Sequence, residues 1–147
     1  MRATIDKIIG GVLIVLMSII TLDVLWGVFT RYVLGSQASW SEELARFLLI
    51  WIGVLGAAYA SGQGMHLAID LMKKESKGRL SFLINFLIIA FAFCVMIIGG
   101  GRLIYITNVL EQLSPALRLP MSIVYAVIPL SGVLIIYYKI SDLLSPA

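Results

Sequence analysis

The side chains able to do chemistry are few, and the densest set lies between Gly35 and Glu43, where Gln37, Ser39, Trp40, Ser41, Glu42 and Glu43 follow one another. A serine just ahead of an apolar run is a helix cap. With Ser39 as that cap, Glu42 falls at the third helical position and completes a capping box, and both acids complement the positive end of the helix dipole. Ser41 is a second candidate cap. Adjacent residues diverge by about 100° around a helix, so one acid can cap while the other faces outward. Trp40 suits the headgroup level, where an amphipathic indole is favoured. Trp40, Glu42 and Glu43 are therefore candidates for docking an external partner.

Asp23 is the acid set deepest inside an apolar run, and a carboxylate there is costly enough to be a functional candidate. It stands about 24 Å beyond Lys7 at helical rise, and Arg31 or a residue of a partner subunit is the expected counter-charge. His66 and Asp70 are four apart and share a face if their segment is helical. One His and one Asp are too few ligands for a metal, so the pair is read as fixing its loop. Cys94 excludes an internal disulfide and reads as a small buried hydrophobe. No nucleophile stands with a base, no phosphate loop appears, and the single histidine is far from the acidic corner, so neither enzyme activity nor a cofactor is expected.

The elements that position these residues follow from composition. Of 147 residues 61% are hydrophobic and 13% charged, with a mean hydropathy of +1.03. Soluble domains carry about 25% charged residues, so lipid is the solvent. A net charge of +3 without an aromatic-interleaved basic surface excludes nucleic acid as partner. Four segments meet the requirement of about 20 apolar residues per span, giving an all-α membrane protein of one domain. They run from about residue 8 to 34, 44 to 63, 80 to 108 and 120 to 143. The first is longer than the membrane is thick and must tilt or protrude. Arg2 and Lys7 ahead of it mimic a signal peptide, but no small-residue cleavage site follows, so it is read as a retained helix. The second contains Gly53, Gly56, Ala57 and Ala58, which imply a closely packed face. The third carries an apolar pattern past Arg102, which is expected to snorkel at the membrane boundary. The fourth opens at Pro120 and is expected to kink at Pro129.

Arg2, Lys7, Lys73, Lys74, Lys77, Arg79 and Lys139 fall on one side of this topology, which places both termini in the cytoplasm by the excess of Lys and Arg in short inner loops. The acidic corner then faces outward. Residues 66 to 76 form an expected short amphipathic helix in the interface, with Lys73, Lys74, Lys77 and Arg79 toward lipid headgroups.

Arg31-Tyr32, Trp40-Ser41-Glu42-Glu43-Leu44-Ala45-Arg46, Gly56-Ala57, Gly64-Met65-His66 followed by Asp70, and Leu119-Pro120 occur in an order that resembles the small membrane subunit, the Q-type component, of tripartite ATP-independent periplasmic (TRAP) transporters. The resemblance covers nearly the whole chain. It implies a stationary scaffold beside a large multi-helix subunit that carries the substrate and sodium sites and moves as an elevator. It also implies a periplasmic binding protein that docks on the outer face, near Trp40, Glu42 and Glu43. Asp23, Arg31, Gly53 and Gly56 then become candidates for subunit packing. The resemblance is to systems for sodium symport of an organic acid, with sialic acid importers nearest and dicarboxylate importers the alternative. The competing reading from the residues alone is a homo-oligomeric four-helix exporter coupled to protons through Asp23.

Overall fold

Runs of Leu, Ile and Val with no proline before Pro115 can satisfy their backbone groups in hydrocarbon only as helices. The structure, a computed structural model, describes residues 2–36, 38–63 and 79–144. They form α1 (Arg2–Val33), α2 (Ser39–Gly62), α3 (Arg79–Phe91), a π-helical stretch π1 (Ala92–Gly99), α4 (Gly100–Val109), α5 (Met121–Tyr125) and α6 (Val127–Leu144). Four spans are long and apolar enough to cross a membrane: α1, α2, the continuous rod Leu83–Val109, and Met121–Ser141. The all-helical, four-span architecture expected from hydropathy is the one found. His66, Asp70, Lys73, Lys74, Lys77 and the expected interfacial helix lie outside the described residues.

With four spans, the start of α1 and the end of α6 share one end of the bundle, and residues 34–36 and 110–120 share the other, called here the loop end. α1 packs on α2, α2 on α6, and α6 on π1, while α4 packs on α5. The core threads this series through Leu55, Ala58, Ala92, Val124, Val127 and Tyr138.

α1 starts at Arg2 instead of about residue 8, because its first polar turn has partners on other helices. The Arg2 guanidinium donates to the Gly62 carbonyl and lies 5.8 Å from the centre of the Tyr138 ring. The Tyr138 hydroxyl donates to Asp6 Oδ1 at 2.6 Å. These contacts pin the start of α1 to the end of α2 and to α6.

Close helix approach occurs at glycines other than those singled out in the sequence. A Cβ built on Gly53 or Gly56 meets nothing within 4 Å, whereas one on Gly62 lies 2.7 Å from the Tyr138 ring and one on Gly132 lies 2.8 Å from Met96 Cβ. Gly100 likewise faces Pro129 Cδ at 3.0 Å. Among the described residues, Gly53 and Gly56 are thus not points of closest helix approach. The fourth span breaks at Ala126, between α5 and α6, three residues before Pro129. Proline has no amide to donate back to the preceding turn, so the break sits one turn upstream of it. Cys94 is exposed on π1, not buried. The reason is rotational: in π1 it is Ala92 that faces the neighbouring helix.

Candidate functional site

The loop end collects the polar side chains that the sequence had scattered. α2 begins at Ser39, with Ala38 as its N-cap in an extended conformation (φ −70°, ψ 109°) and no side chain capping it. The capping box on Ser39 and Glu42 therefore does not form. Ser41 and Glu42 are used otherwise. The Ser41 hydroxyl, buried, crosses to α1 and donates to the Asp23 carbonyl at 3.2 Å. Glu42 is exposed and pairs with Arg46 one turn on, at 3.5 Å.

Glu43 has a role that only the fold shows. Its Oε2 accepts from the backbone amides of Ala116 at 2.8 Å and Leu117 at 2.9 Å, more than seventy residues away in sequence. Both donors belong to the turn that carries the chain from α4 to α5. That turn is otherwise held by its own backbone. Ser114 N–H donates to the Leu119 carbonyl and Leu119 N–H to Ser114 Oγ, while Met121 N–H donates to the Gln112 carbonyl. Its entry is a Schellman motif: Glu111 N–H donates to Asn108 and Gln112 N–H to Thr107. Glu111 holds the left-handed position, at φ 46°, that glycine normally takes. A cavity of about 270 Å³ opens beside it, lined by Thr107, Asn108, Glu111, Gln112, Pro120 and Ser122.

The bond from Ser41 also fixes the height of Asp23. It stands near the first turn of α2, whose Ser41 Oγ also lies 3.2 Å from a Cβ built on Gly27, so the last one to two turns of α1 run on past the start of α2. At about 48 Å for 32 residues, α1 is longer than a hydrocarbon core of about 30 Å. Asp23 itself is only 7% exposed. Neither carboxylate oxygen has a hydrogen-bond partner, so the expected pairing with Arg31 is not made. Arg31 lies two turns further along the same face and lines, with Asp23, Gly27, Ser41, Glu42 and Ala45, a second cavity of about 280 Å³. Trp40 is exposed.

Sequence reading missed Ser114, Ala116 and Leu117 because nothing local connects them to Glu43. The available signal was the spacing of Pro115 and Pro120 around a leucine-rich turn, which marks an ordered connection but not its anchor. Removing that anchor has a defined consequence. Glu43→Ala is expected to open the amides of Ala116 and Leu117 to hydrogen–deuterium exchange in detergent while α2 stays helical. Unchanged protection of both amides would contradict the role given to Glu43.

The family model described as "Tripartite ATP-independent periplasmic transporters, DctQ component" matches residues 20–147. A TRAP transporter small permease protein of Haemophilus influenzae is 26% identical over 145 residues, covering 96% of this chain and 88% of that protein. The sialic acid TRAP transporter small permease protein SiaQ of Vibrio cholerae is 31% identical over 87 residues, 58% of this chain and 50% of its own length. The isethionate TRAP transporter permease protein DctMQ of Oleidesulfovibrio alaskensis is 30% identical over 113 residues. That match takes in 74% of this chain but only 18% of the relative, so there the similar segment is a small part of a much longer polypeptide. Four apolar spans, an ordered polar loop end and a family match running from residue 20 to the last residue agree: the chain belongs to the DctQ family, as a non-catalytic, multi-pass component of a bacterial inner-membrane TRAP transporter.

Proposed function

We propose that this chain is the stationary scaffold of its transporter, supporting a large elevator-type membrane subunit and offering the loop end to a periplasmic binding protein. The observation that carries this reading is the rigid platform at the loop end. Glu43 ties the 110–120 turn to α2, while Trp40 and Glu42 stay exposed beside it. A surface fixed from within and open to water suits repeated docking, because little of it must be ordered each time. The long DctMQ relative supports a place beside a much larger membrane body. Membership of a tripartite system does not suit a self-sufficient exporter coupled through Asp23.

In this reading both termini are cytoplasmic, and Lys73, Lys74, Lys77 and Arg79 meet lipid headgroups. Sodium coupling resides in the large subunit, and this chain holds no cofactor. Its outward faces at Gly53 and Gly56, where a Cβ would find open space, are available to a neighbouring helix. The cargo is an organic acid, with sialic acid the first candidate to assay, since the SiaQ relative is named for it. Coexpression with the large permease encoded alongside it, followed by affinity capture of this chain from detergent, is expected to recover both subunits together. Recovery of a homo-oligomer with no large subunit attached would overturn the scaffold function.

A further inference from the structure

The cavity of about 280 Å³ between the overhanging end of α1 and the start of α2 has a wall that is unusual for a membrane protein. It holds the charged side chains Asp23, Arg31 and Glu42 and the phenol of Tyr32 on a lining otherwise made of small or apolar residues. Glu42 already has Arg46 within 3.5 Å on its exposed side. Asp23 has nothing: it is over nine-tenths buried and both its oxygens lack a partner. Ser41, the nearest hydroxyl with a described bond, spends its proton on the Asp23 backbone carbonyl and not on the carboxylate. A buried carboxylate without donors is the feature that native structures avoid, so each case calls for an absent group.

Size and surroundings narrow what that group is. The cavity is roughly nine times the share of liquid volume that one water takes, too large for a bare ion held by one carboxylate and large enough for a whole side chain with its stem. Its α1 rim includes the exposed apolar side chains Val24 (49%) and Val28 (50%), a surface that suits the flank of a neighbouring helix. α1 is also the open flank of the bundle, its packing within the chain being on α2. We infer that this cavity is a socket for one basic side chain, Lys or Arg, of the large membrane subunit, whose ammonium or guanidinium satisfies Asp23 on assembly. Its apolar stem lies along Val24 and Val28. Arg31, two turns nearer the end of α1, bars a second cation and so sets the register of the two subunits. The inference rests on the scaffold function proposed above, and supplies it with a specific point of attachment.

The test uses the coexpressed two-subunit complex. Asp23→Asn and Asp23→Lys are compared with the wild-type chain for recovery of the large subunit and, separately, for stability of the isolated chain in detergent. Asp23→Lys is expected to lower recovery about a hundredfold or more, the usual scale for leaving one charge of a buried pair uncompensated or opposed. Asp23→Asn is expected to lower recovery less, and to leave the isolated chain as stable or more so, because it deletes a carboxylate with no internal partner. A merely structural Asp23 would move both readouts down together. A benzophenone side chain introduced at Val28 is expected to crosslink to a spanning segment of the large subunit within a few residues of a Lys or Arg. Adducts only to lipid or only to the binding protein would overturn the socket, as would full recovery with Asp23→Lys. If the wild-type chain itself recovers no large subunit, it is the scaffold function that fails.

Discussion

Adding a single methyl group at Gly132 is expected to destabilise the bundle by about 1–3 kcal/mol, the usual cost of forcing an extra carbon into a filled interior. The site is where α6 lies against π1. A Cβ there falls 2.8 Å from Met96 Cβ, 3.2 Å from Ile97 Cγ1 and 3.3 Å from the Ala92 carbonyl oxygen. Carbon atoms pack best at about 3.5–4.0 Å, so the overlap is severe. Met96 Cβ is bonded directly to the backbone and no rotamer moves it away, so the two helices must part. Parting them uncovers Ala92, which is 1% exposed, and loosens the whole series in which α6 joins α2 to π1. Gly132→Val is expected to cost more again. Gly53→Ala is the control: its new methyl meets open space, and the gain in helix propensity of roughly 0.5–1 kcal/mol makes it neutral or slightly stabilising. Unfolding in mixed micelles followed by circular dichroism measures both. Gly132→Ala as stable as Gly53→Ala would remove the case for close packing at π1.

The second large effect is on transport, where the two adjacent acids are expected to separate. Glu43→Arg should abolish most binding-protein-dependent uptake in proteoliposomes, lowering the maximal rate about tenfold or more. It replaces the acceptor of two backbone amides with a donor, and the 110–120 turn loses its anchor. Glu43→Gln keeps an acceptor and should retain much of the rate. Glu42→Arg acts differently, since its partner Arg46 is exposed and exposed ion pairs add little to stability. Reversing a rim charge chiefly slows encounter and changes its salt dependence. The expected result is about a tenfold rise in the binding-protein concentration for half-maximal uptake at low salt, with the maximal rate kept. Identical titration curves for Glu42→Arg and the wild-type chain would exclude Glu42 from docking.

What the sequence made legible was set by range. Spans declare themselves through composition, because every residue of a spanning segment must meet the demand of the hydrocarbon, and all four did so. Helix ends were less clear: Ser39 looked like a cap, yet Ser41 and Glu43 are drawn to α1 and to the 110–120 turn, and Ala38 caps with its backbone alone. The glycines show the same limit. Gly53 and Gly56 form a conspicuous small-residue spacing but touch nothing, whereas Gly62 and Gly132 matter because of Tyr138 and Met96, which lie far off in sequence. Asp23 was legible as costly and not as unpartnered. Its height became known only through Ser41. The π-helical geometry of π1 was not legible in hydropathy: π1 is more apolar than its flanks, but apolar character does not distinguish a π-helical turn from an α-helical one.

The tie between Asp6 and Tyr138 has a consequence in time. Its two residues are 132 positions apart, and a ribosome adding about 5–20 residues per second takes roughly 7–26 seconds to pass from one to the other. Throughout that interval the first helix is already made while its polar first turn has no tyrosine to hold. The bundle therefore closes last at the end where it was begun, and a chain stalled before its final helix leaves Asp6 without this partner.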